Sequence, residues 1–579
     1  MRRAALIALA AALAAGLLLP AAALAHAQLE GTTPERGAVV KREPAAVVFR
    51  FDEPVEGNFG AVRVYDAGGE RVDEGDAFHP NGDGPKLGVH LKPGLPEGSY
   101  TATYRVISAD GHIVSSGFVF SIGRAGRAPK ETVAELTSGS GTGEVTQLAF
   151  GVARGLQYAA TALGVGGIAF LMLAWLPALA AGGGAAGWAR AGSAFLGRLR
   201  RVLLAAALVG AVSAAAGIVL EGAEAAGISG FAALKEAIVR ETLETKFGTI
   251  WGFALLAWVV FGVLAFLLLR DRDGGRPSRP RTALAALPLI YVVLVPALAG
   301  HGSTQSPVAL LFPVNVVHVT AMAVWLGGLA TLLFVAPRGT RELDPAERGR
   351  LLAGSLARFS QIALAAVAAI LVTGLVQAYA YVRHPGDLLT TDYGLAVTIK
   401  FVLLLALIAL AAYNRRRSVP RLNRLAAGGE APGRIGLNLR RAVRGEVALL
   451  VVVLGVTAAL ASYAPPVTAQ SGPFSTETTV GPIQLEMSVE PGTVGANEIH
   501  IYLFDAKSGA PYARVKQLTV SAALPEAGIS LPLEPQLSGP GHYTIPDALM
   551  SAKGEWKLDL GIRVSAFDQL EKTIEVPVR

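Results

Sequence analysis

Eight long apolar segments, at about 148–181, 202–220, 249–269, 283–300, 308–336, 359–382, 394–413 and 447–464, constrain this sequence more than any other feature. Each is as long as, or nearly as long as, the roughly 20 residues that carry a helix across the hydrocarbon of a bilayer. Backbone polar groups find no water there, so the segments must satisfy their own hydrogen bonds as α-helices. The connections between them divide by charge. Loops 182–201, 270–281, 337–358 and 414–445 hold 4, 5, 5 and 9 Arg, whereas 221–247, 302–307 and 383–393 hold 3, 0 and 1 basic residues. That alternation puts the arginine-rich set in the cytoplasm. With an even number of spans, the regions before and after the helices are then expected outside the cell.

Composition narrows the function. Of 579 residues, 52% are hydrophobic and 16% charged, against about 25% charged in an ordinary soluble domain. A single soluble globule is excluded, and so is disorder, because so much apolar surface does not stay solvated. The net charge of +7 comes largely from loop arginines, with no basic cluster interleaved with aromatics, so nucleic acid is not an expected partner. The sequence has no Cys, which removes disulfides, thiolate metal sites and iron–sulfur clusters. No G-x-x-x-x-G-K-[ST] loop and no sizeable cytoplasmic domain is present for ATP. The chain reads as a non-enzyme.

Residues 1–25 read as a signal peptide: Arg2 and Arg3, an apolar run Ala4–Leu19, then Ala23-Leu24-Ala25. Cleavage there leaves His26 as the first residue; the competing site after Ala27 leaves Gln28. From 26 to 123 the pattern alternates in short runs, Ala46–Phe51, Phe59–Tyr65, Lys86–Leu91, Ser99–Ile107 and Ile113–Ile122, broken by Pro and Gly. This predicts an antiparallel, Ig-like or cupredoxin-like β-sandwich. Residues 124–147 read as a linker, 148–464 as an all-α membrane domain of eight helices, and 465–579 as a second extracytoplasmic β-sandwich. Its strands are expected at Ile483–Val489, Glu498–Phe504, Arg514–Ser521, Gly541–Ile545, Trp556–Val564 and Leu570–Val576.

Two groups of residues carry metal chemistry. An N-terminal His26 offers its α-amine and its ring Nδ1 together, closing a six-membered chelate. Asp110 and His112 stand at i and i+2, which in an extended segment point the same way, and Gly111 lets the backbone turn between them. Amine, imidazoles and carboxylate make a tetragonal set suited to Cu(II). Within the helices, His318 lies about ten residues into the fifth segment, roughly 15 Å deep. Met322 at i+4 and Trp325 at i+7 share its face, and imidazole over thioether suits Cu(II) or Cu(I). His301 caps the fourth segment at its outer end. The competing structural reading gives His318 an interhelical hydrogen bond and makes Met322 a space-filler. Lys400 and Glu446 stand near segment ends, where long side chains snorkel. His79, His90, His384, His500 and His542 read as solvated residues.

The stretches His26-Ala27-Gln28-Leu29, Thr33-Pro34, Phe49-Arg50-Phe51, Leu95-Pro96-Glu97-Gly98-Ser99-Tyr100 and Val106-Ile107-Ser108-Ala109-Asp110-Gly111-His112 resemble the CopC family of periplasmic copper-binding proteins. The resemblance implies His26, Asp110 and His112 as Cu(II) ligands. The Met-rich Cu(I) site of some members has no counterpart, since 26–147 contain no Met. The membrane part is similar to the CopD family. The likeness runs through Asn315-Val316-Val317-His318, Ala323-Val324-Trp325-Leu326-Gly327-Gly328, Arg358-Phe359-Ser360, Thr373-Gly374, Tyr393-Gly394 with Lys400, Asn414-Arg415-Arg416-Arg417, and Leu439-Arg440-Arg441 with Glu446. The last domain is similar to YtkA-like or FixH-like sandwiches through Val489-Glu490-Pro491-Gly492 and Gly554-Glu555-Trp556. CopC–CopD fusions are associated with copper handling, usually uptake. The expectation is a plasma-membrane copper importer that captures Cu(II) outside and passes it by His301, His318 and Met322, with the ion inside the membrane Cu(II) or Cu(I). Two alternatives stand beside it: a haem-binding membrane redox protein with His301 and His318 as axial ligands, and a sequestration or resistance protein anchored by its helices.

Overall fold

The computed structural model describes residues 27–578 apart from 28, 36–37, 58, 110, 112, 124–142, 182–185, 272–273, 383–384, 414–415, 417–419, 421–432, 462, 464, 467–473, 491, 493, 507–510 and 513. The chain divides into a helical unit and a β unit.

The first sandwich has strands β1 (Leu29–Thr33), β2 (Val39–Val40), β3 (Ala46–Phe51), β4 (Val62–Asp66), β5 (Lys86–His90), β6 (Gly98–Ile107) and β7 (Ile113–Ile122). They form a three-stranded sheet, β1-β3-β5, and a four-stranded sheet, β2-β7-β6-β4. Aromatic and β-branched residues at every second position meet between the sheets. Phe49 lies edge-on to Tyr104 and Phe118, with ring centres 5.1 and 5.4 Å apart, and Phe51 lies edge-on to Tyr104 at 5.2 Å. The five expected strands are all present; β1 and β2 are additional. They are short, and β1 carries Gly31, so neither gives an alternation long enough to read.

The helical unit comprises α1 (Glu144–Ala180), α2 (Ala186–Ala226), α3 (Glu236–Glu244), α4 (Lys246–Leu268), α5 (Arg279–Leu298), α6 (Val308–Gly339), α7 (Pro345–Tyr381), α8 (Asp392–Tyr413) and α9 (Gly433–Leu460). Among the described residues seven of these, all but α3 and α9, are long and apolar enough to cross a membrane. The eighth expected segment falls in the second half of α9, several of whose side chains lie outside the described residues. Outward-facing leucines such as Leu208 and Leu375 are 66% and 61% exposed, a surface that suits lipid and not water. The protein is a multi-pass membrane protein.

Two stretches read as loops are helical. Residues 186–201 belong to α2 and 345–358 to α7. Ala, Leu and Arg favour helix, and a helix leaving the hydrocarbon need not end at the lipid surface. Inside the unit, Trp175, Trp258 and Trp325 are buried, and Trp175 stacks on Phe195 at 3.9 Å. Helices α1 and α6 cross at glycine. A Cβ on Gly166 of α1 would stand 2.5 Å from the Ala323 carbonyl oxygen of α6, and one on Gly327 of α6 would overlap the Ala162 carbonyl of α1. Gly328 leaves room for the Phe359 ring of α7 in the same way.

The second sandwich contains β8 (Phe474–Val480), β9 (Ile483–Glu490), β10 (Gly495–Asp505), β11 (Gln517–Leu524), β12 (Ile529–Leu533), β13 (Gln536–Gly539), β14 (His542–Met550), β15 (Gly554–Arg563) and β16 (Gln569–Val578). Its sheets are β13-β14-β10-β9-β8 and β12-β11-β15-β16, packed over Ile499, Ile501, Leu503, Trp556, Leu558 and Ile562. The strands missed by pattern are β8, β12 and β13. The first is mostly Ser, Thr and Glu, the second holds Pro532, and the third is four residues long.

Candidate metal sites

His26, Asp110 and His112 lie outside the described residues, but the segments that lead to them are described. Ala27 is buried in the first sandwich, and β1 begins at Leu29, paired with Phe51 at the end of β3. Two residues past Phe51, the Glu53 carboxylate accepts the Ala109 backbone N–H at 3.1 Å. Ile107 and Ile113 pair as the last residues of β6 and β7, so residues 108–112 close that hairpin. Within it the Gly111 N–H bonds the Ser108 carbonyl at 2.9 Å, and Gly111 takes φ +87°, a turn conformation that glycine adopts without strain. Glu53 thus holds Ala109 to the chain that follows β3, the strand with which β1 pairs. Nothing in the sequence pattern pointed to Glu53, which sits in an ordinary Asp-Glu-Pro turn.

In the helical unit, His318 Nδ1 lies 2.9 Å from Thr373 Oγ1 across the α6–α7 seam. The Thr373 hydroxyl gives its one hydrogen to the Ala369 carbonyl at 2.6 Å, so it accepts from His318 Nδ1–H. A neutral His318 therefore keeps its lone pair on Nε2, the atom a metal would take. Met322 stands one turn further along α6 and packs against the apolar core. Lys400 does not snorkel from a helix end: it lies eight residues in from Asp392 on α8 and its charge acts on His318.

The His301 ring meets the Tyr381 ring edge-on, centres 5.9 Å apart. Tyr381 and Thr373 are eight residues apart on α7, so the contacts of the two histidines are separated by roughly 12 Å along the helix.

His500 and His542 correct the sequence reading of solvated residues. Both are 5% exposed and lie on neighbouring strands, where Tyr502 pairs with His542 and His500 stands one step diagonal. His500 Nδ1 is 3.1 Å from His542 Nε2, and His500 Nε2 faces Glu498 Oε1 at 3.3 Å. The Tyr502 ring stacks on His542 at 4.2 Å. Burial, and then the neighbouring His500, push His542 down to about 3. Among the described residues no three His, Asp or Glu side chains converge to hold a metal.

The depressed value makes a pH prediction. A histidine that folds with a lower pKa than its unfolded value of about 6.5 contributes stability that is complete above that value and declines as pH falls toward 3. The thermal midpoint of the β unit should therefore fall as pH drops from 7 to 4.5, and His542→Gln should flatten that slope. An unchanged slope in His542→Gln would contradict the assignment.

Comparison with known proteins follows the same division of the chain. Residues 29–123 match the CopC domain, residues 145–309 the copper resistance protein D-like N-terminal domain, and residues 353–460 copper resistance protein D. None of these matches reaches the C-terminal sandwich. Copper transport protein CutJ of Bacillus subtilis (strain 168) is 27% identical over 514 residues, covering 87% of this chain and 86% of CutJ. Protein YobA of Escherichia coli (strain K12) is 32% identical over 98 residues, 17% of this chain and 79% of YobA. Inner membrane protein YebZ of the same strain is 26% identical over 187 residues, 32% of this chain and 59% of YebZ. Among solved structures, CopC from Methylosinus trichosporium OB3b is 28% identical, covering 18% of this chain and 98% of that one, with a TM-score of 0.16. A CopC-like N-terminal domain and a CopD-like membrane region are thus joined here in one polypeptide.

Proposed function

We propose that this protein imports copper across the plasma membrane, capturing Cu(II) at an external site of His26, Asp110 and His112 and passing it inward by His301, His318 and Met322. The coarser part, copper transport or resistance, follows from the family matches and the likeness to CutJ. Copper is the cargo, and the bilayer surrounds the path. The external placement of both β domains is supported by the arginine alternation of the loops. Capture is supported by two observations: Glu53 holds Ala109 to the chain just after β3, and β1, which follows His26, starts paired with the end of that same strand. The observation that carries the inward step is His318, held by Thr373 with Nε2 as its lone-pair atom in mid-helix. An imidazole at that depth is expensive unless it pairs or serves a path.

The capture step is tested on the full processed chain. N-terminal sequencing should read His-Ala-Gln-Leu, and Cu(II) titration should give one tetragonal, nitrogen-rich EPR signal. Removing a ligand should cost more than the roughly 10- to 100-fold loss typical of removing a group behind one, so His112→Ala should lose at least two decades of affinity. Affinity should also fall as pH is lowered, because amine and imidazoles must give up protons to bind. A mature chain beginning at Gln28, or unchanged affinity in His112→Ala, would remove the proposed chelate.

A further inference from the structure

The α6–α7 seam carries more polar side chains than a path through His301 and His318 uses. Helices α6 and α7 are joined by the short turn 340–344 and run antiparallel. Thr373, Gln377 and Tyr381 stand at i, i+4 and i+8 on one face of α7, and Asn315 and His318 at i and i+3 on one face of α6. The His318–Thr373 bond sets those faces against each other. One turn toward the mouth, Asn315 comes level with Gln377; one turn further, Leu311 comes level with Tyr381, and these two share an apolar cluster with Val314, Val376 and Tyr393. The turn at 301–305 packs beside this end. A Cβ on Gly302 would stand 3.4 Å from the Asn315 Cβ, and the Gln305 backbone N–H bonds the His301 carbonyl at 2.9 Å.

Four of these side chains bury polar atoms that have no hydrogen-bond partner among the described residues. They are both amide atoms of Gln305, which is 1% exposed, with Asn315 Oδ1, Gln377 Nε2 and Tyr381 Oη. Leucine at any of these positions would avoid the penalty of an unsatisfied buried group. Their chemistry is uniform: neutral, with carbonyl acceptors beside amide and hydroxyl donors. Carbonyl oxygens bind a cation, whereas N–H and O–H groups bind the oxygens of its water shell. Beyond His318 the polar run stops, since Met322 packs into the apolar core, Trp325 is buried and Phe359 fills the space at Gly328. Among the described residues, Lys400 is the charged group that acts on His318.

We propose that Gln305, Asn315, Gln377 and Tyr381 line a vestibule, open only toward the outer mouth, that admits copper as partly hydrated Cu(II) and exchanges its waters for amide oxygens ahead of His318. The inference rests on the import reading and names the form of copper that enters. Oxygen and nitrogen donors suit Cu(II), and the first sulfur, Met322, comes only after His318.

The absence of native cysteine allows a test that does not depend on transport. Full-length Asn315→Cys and Gln377→Cys in intact cells should react with an impermeant, positively charged methanethiosulfonate at least tenfold faster than Val317→Cys, a lipid-facing position 47% exposed. Equal rates would overturn the vestibule. In a second measurement, Asn315→Leu and Gln377→Leu should each slow entry of Cu(II) at least tenfold, and the native chain should admit Cu(II) faster than copper kept as Cu(I) by ascorbate. Native rates in both leucine variants, or faster entry of Cu(I), would overturn the proposal. If the native chain moved no copper at all, the import reading would fail, while the labelling rates would still decide whether the vestibule exists.

Discussion

His318→Ala is expected to abolish copper accumulation while expression, membrane insertion and Cu(II) binding by the external domain stay at native levels. The contrast with a packing role is one of magnitude. A hydrogen bond between membrane helices is worth on the order of 1 kcal/mol, and the helical unit is held by a large aromatic and aliphatic core around Trp175, Trp258 and Trp325. Losing the Thr373 contact alone leaves that core intact. Losing the Nε2 donor removes the only imidazole described at that depth in the seam. His318→Met separates the two oxidation states: a thioether accepts Cu(I) and serves Cu(II) poorly, so this variant should fail if the ion enters as Cu(II). Full accumulation in His318→Ala would leave the helices as an anchor or move the route elsewhere.

Gly327→Leu should have an equally large effect by a different cause. Its first side-chain carbon would overlap the Ala162 carbonyl, a backbone atom of α1 that cannot turn aside. Overpacking a core costs about 1–3 kcal/mol when neighbouring side chains can shift, and here two helix backbones must separate instead. Solubilised Gly327→Leu is expected to give no monodisperse peak on size-exclusion chromatography, whereas Val317→Leu, on the lipid-facing side, should behave like the native chain. A well-folded Gly327→Leu would show that the α1–α6 crossing is looser than the structure has it.

The parts of this architecture legible in the sequence are those with a long period. Apolar runs and arginine-rich connections gave the helices, because a bilayer demands length and hydrophobicity and little else. Strand β6 was readable because polar and apolar residues alternate from Ser99 to Val106, and β7 because its ten residues are rich in aromatic and β-branched side chains. Two-residue β2, polar β8 and proline-bearing β12 were not, since their pairing is decided by neighbours and not by their own pattern. The histidines and Met322 stood out by residue type, and Asn315, Thr373 and Lys400 fell within recognised stretches whose role only the packing explains. Gln305, Gln377 and Tyr381 went unremarked. Their signal was available, as two of them follow Thr373 at helical spacing inside an apolar span, but a polar residue in a span gains meaning only once its facing helix is known. The reading of His500 and His542 as solvated failed for the opposite reason: burial on a sheet face depends on what covers it.

The central claim is that the helices conduct copper, and purified protein in liposomes tests it without help from the rest of the cell. Radioactive copper should accumulate inside vesicles containing the native chain well above vesicles containing His318→Ala at matched protein content, with protein-free vesicles at background. Equal accumulation in the native and His318→Ala vesicles, or none above background in either, would contradict the account.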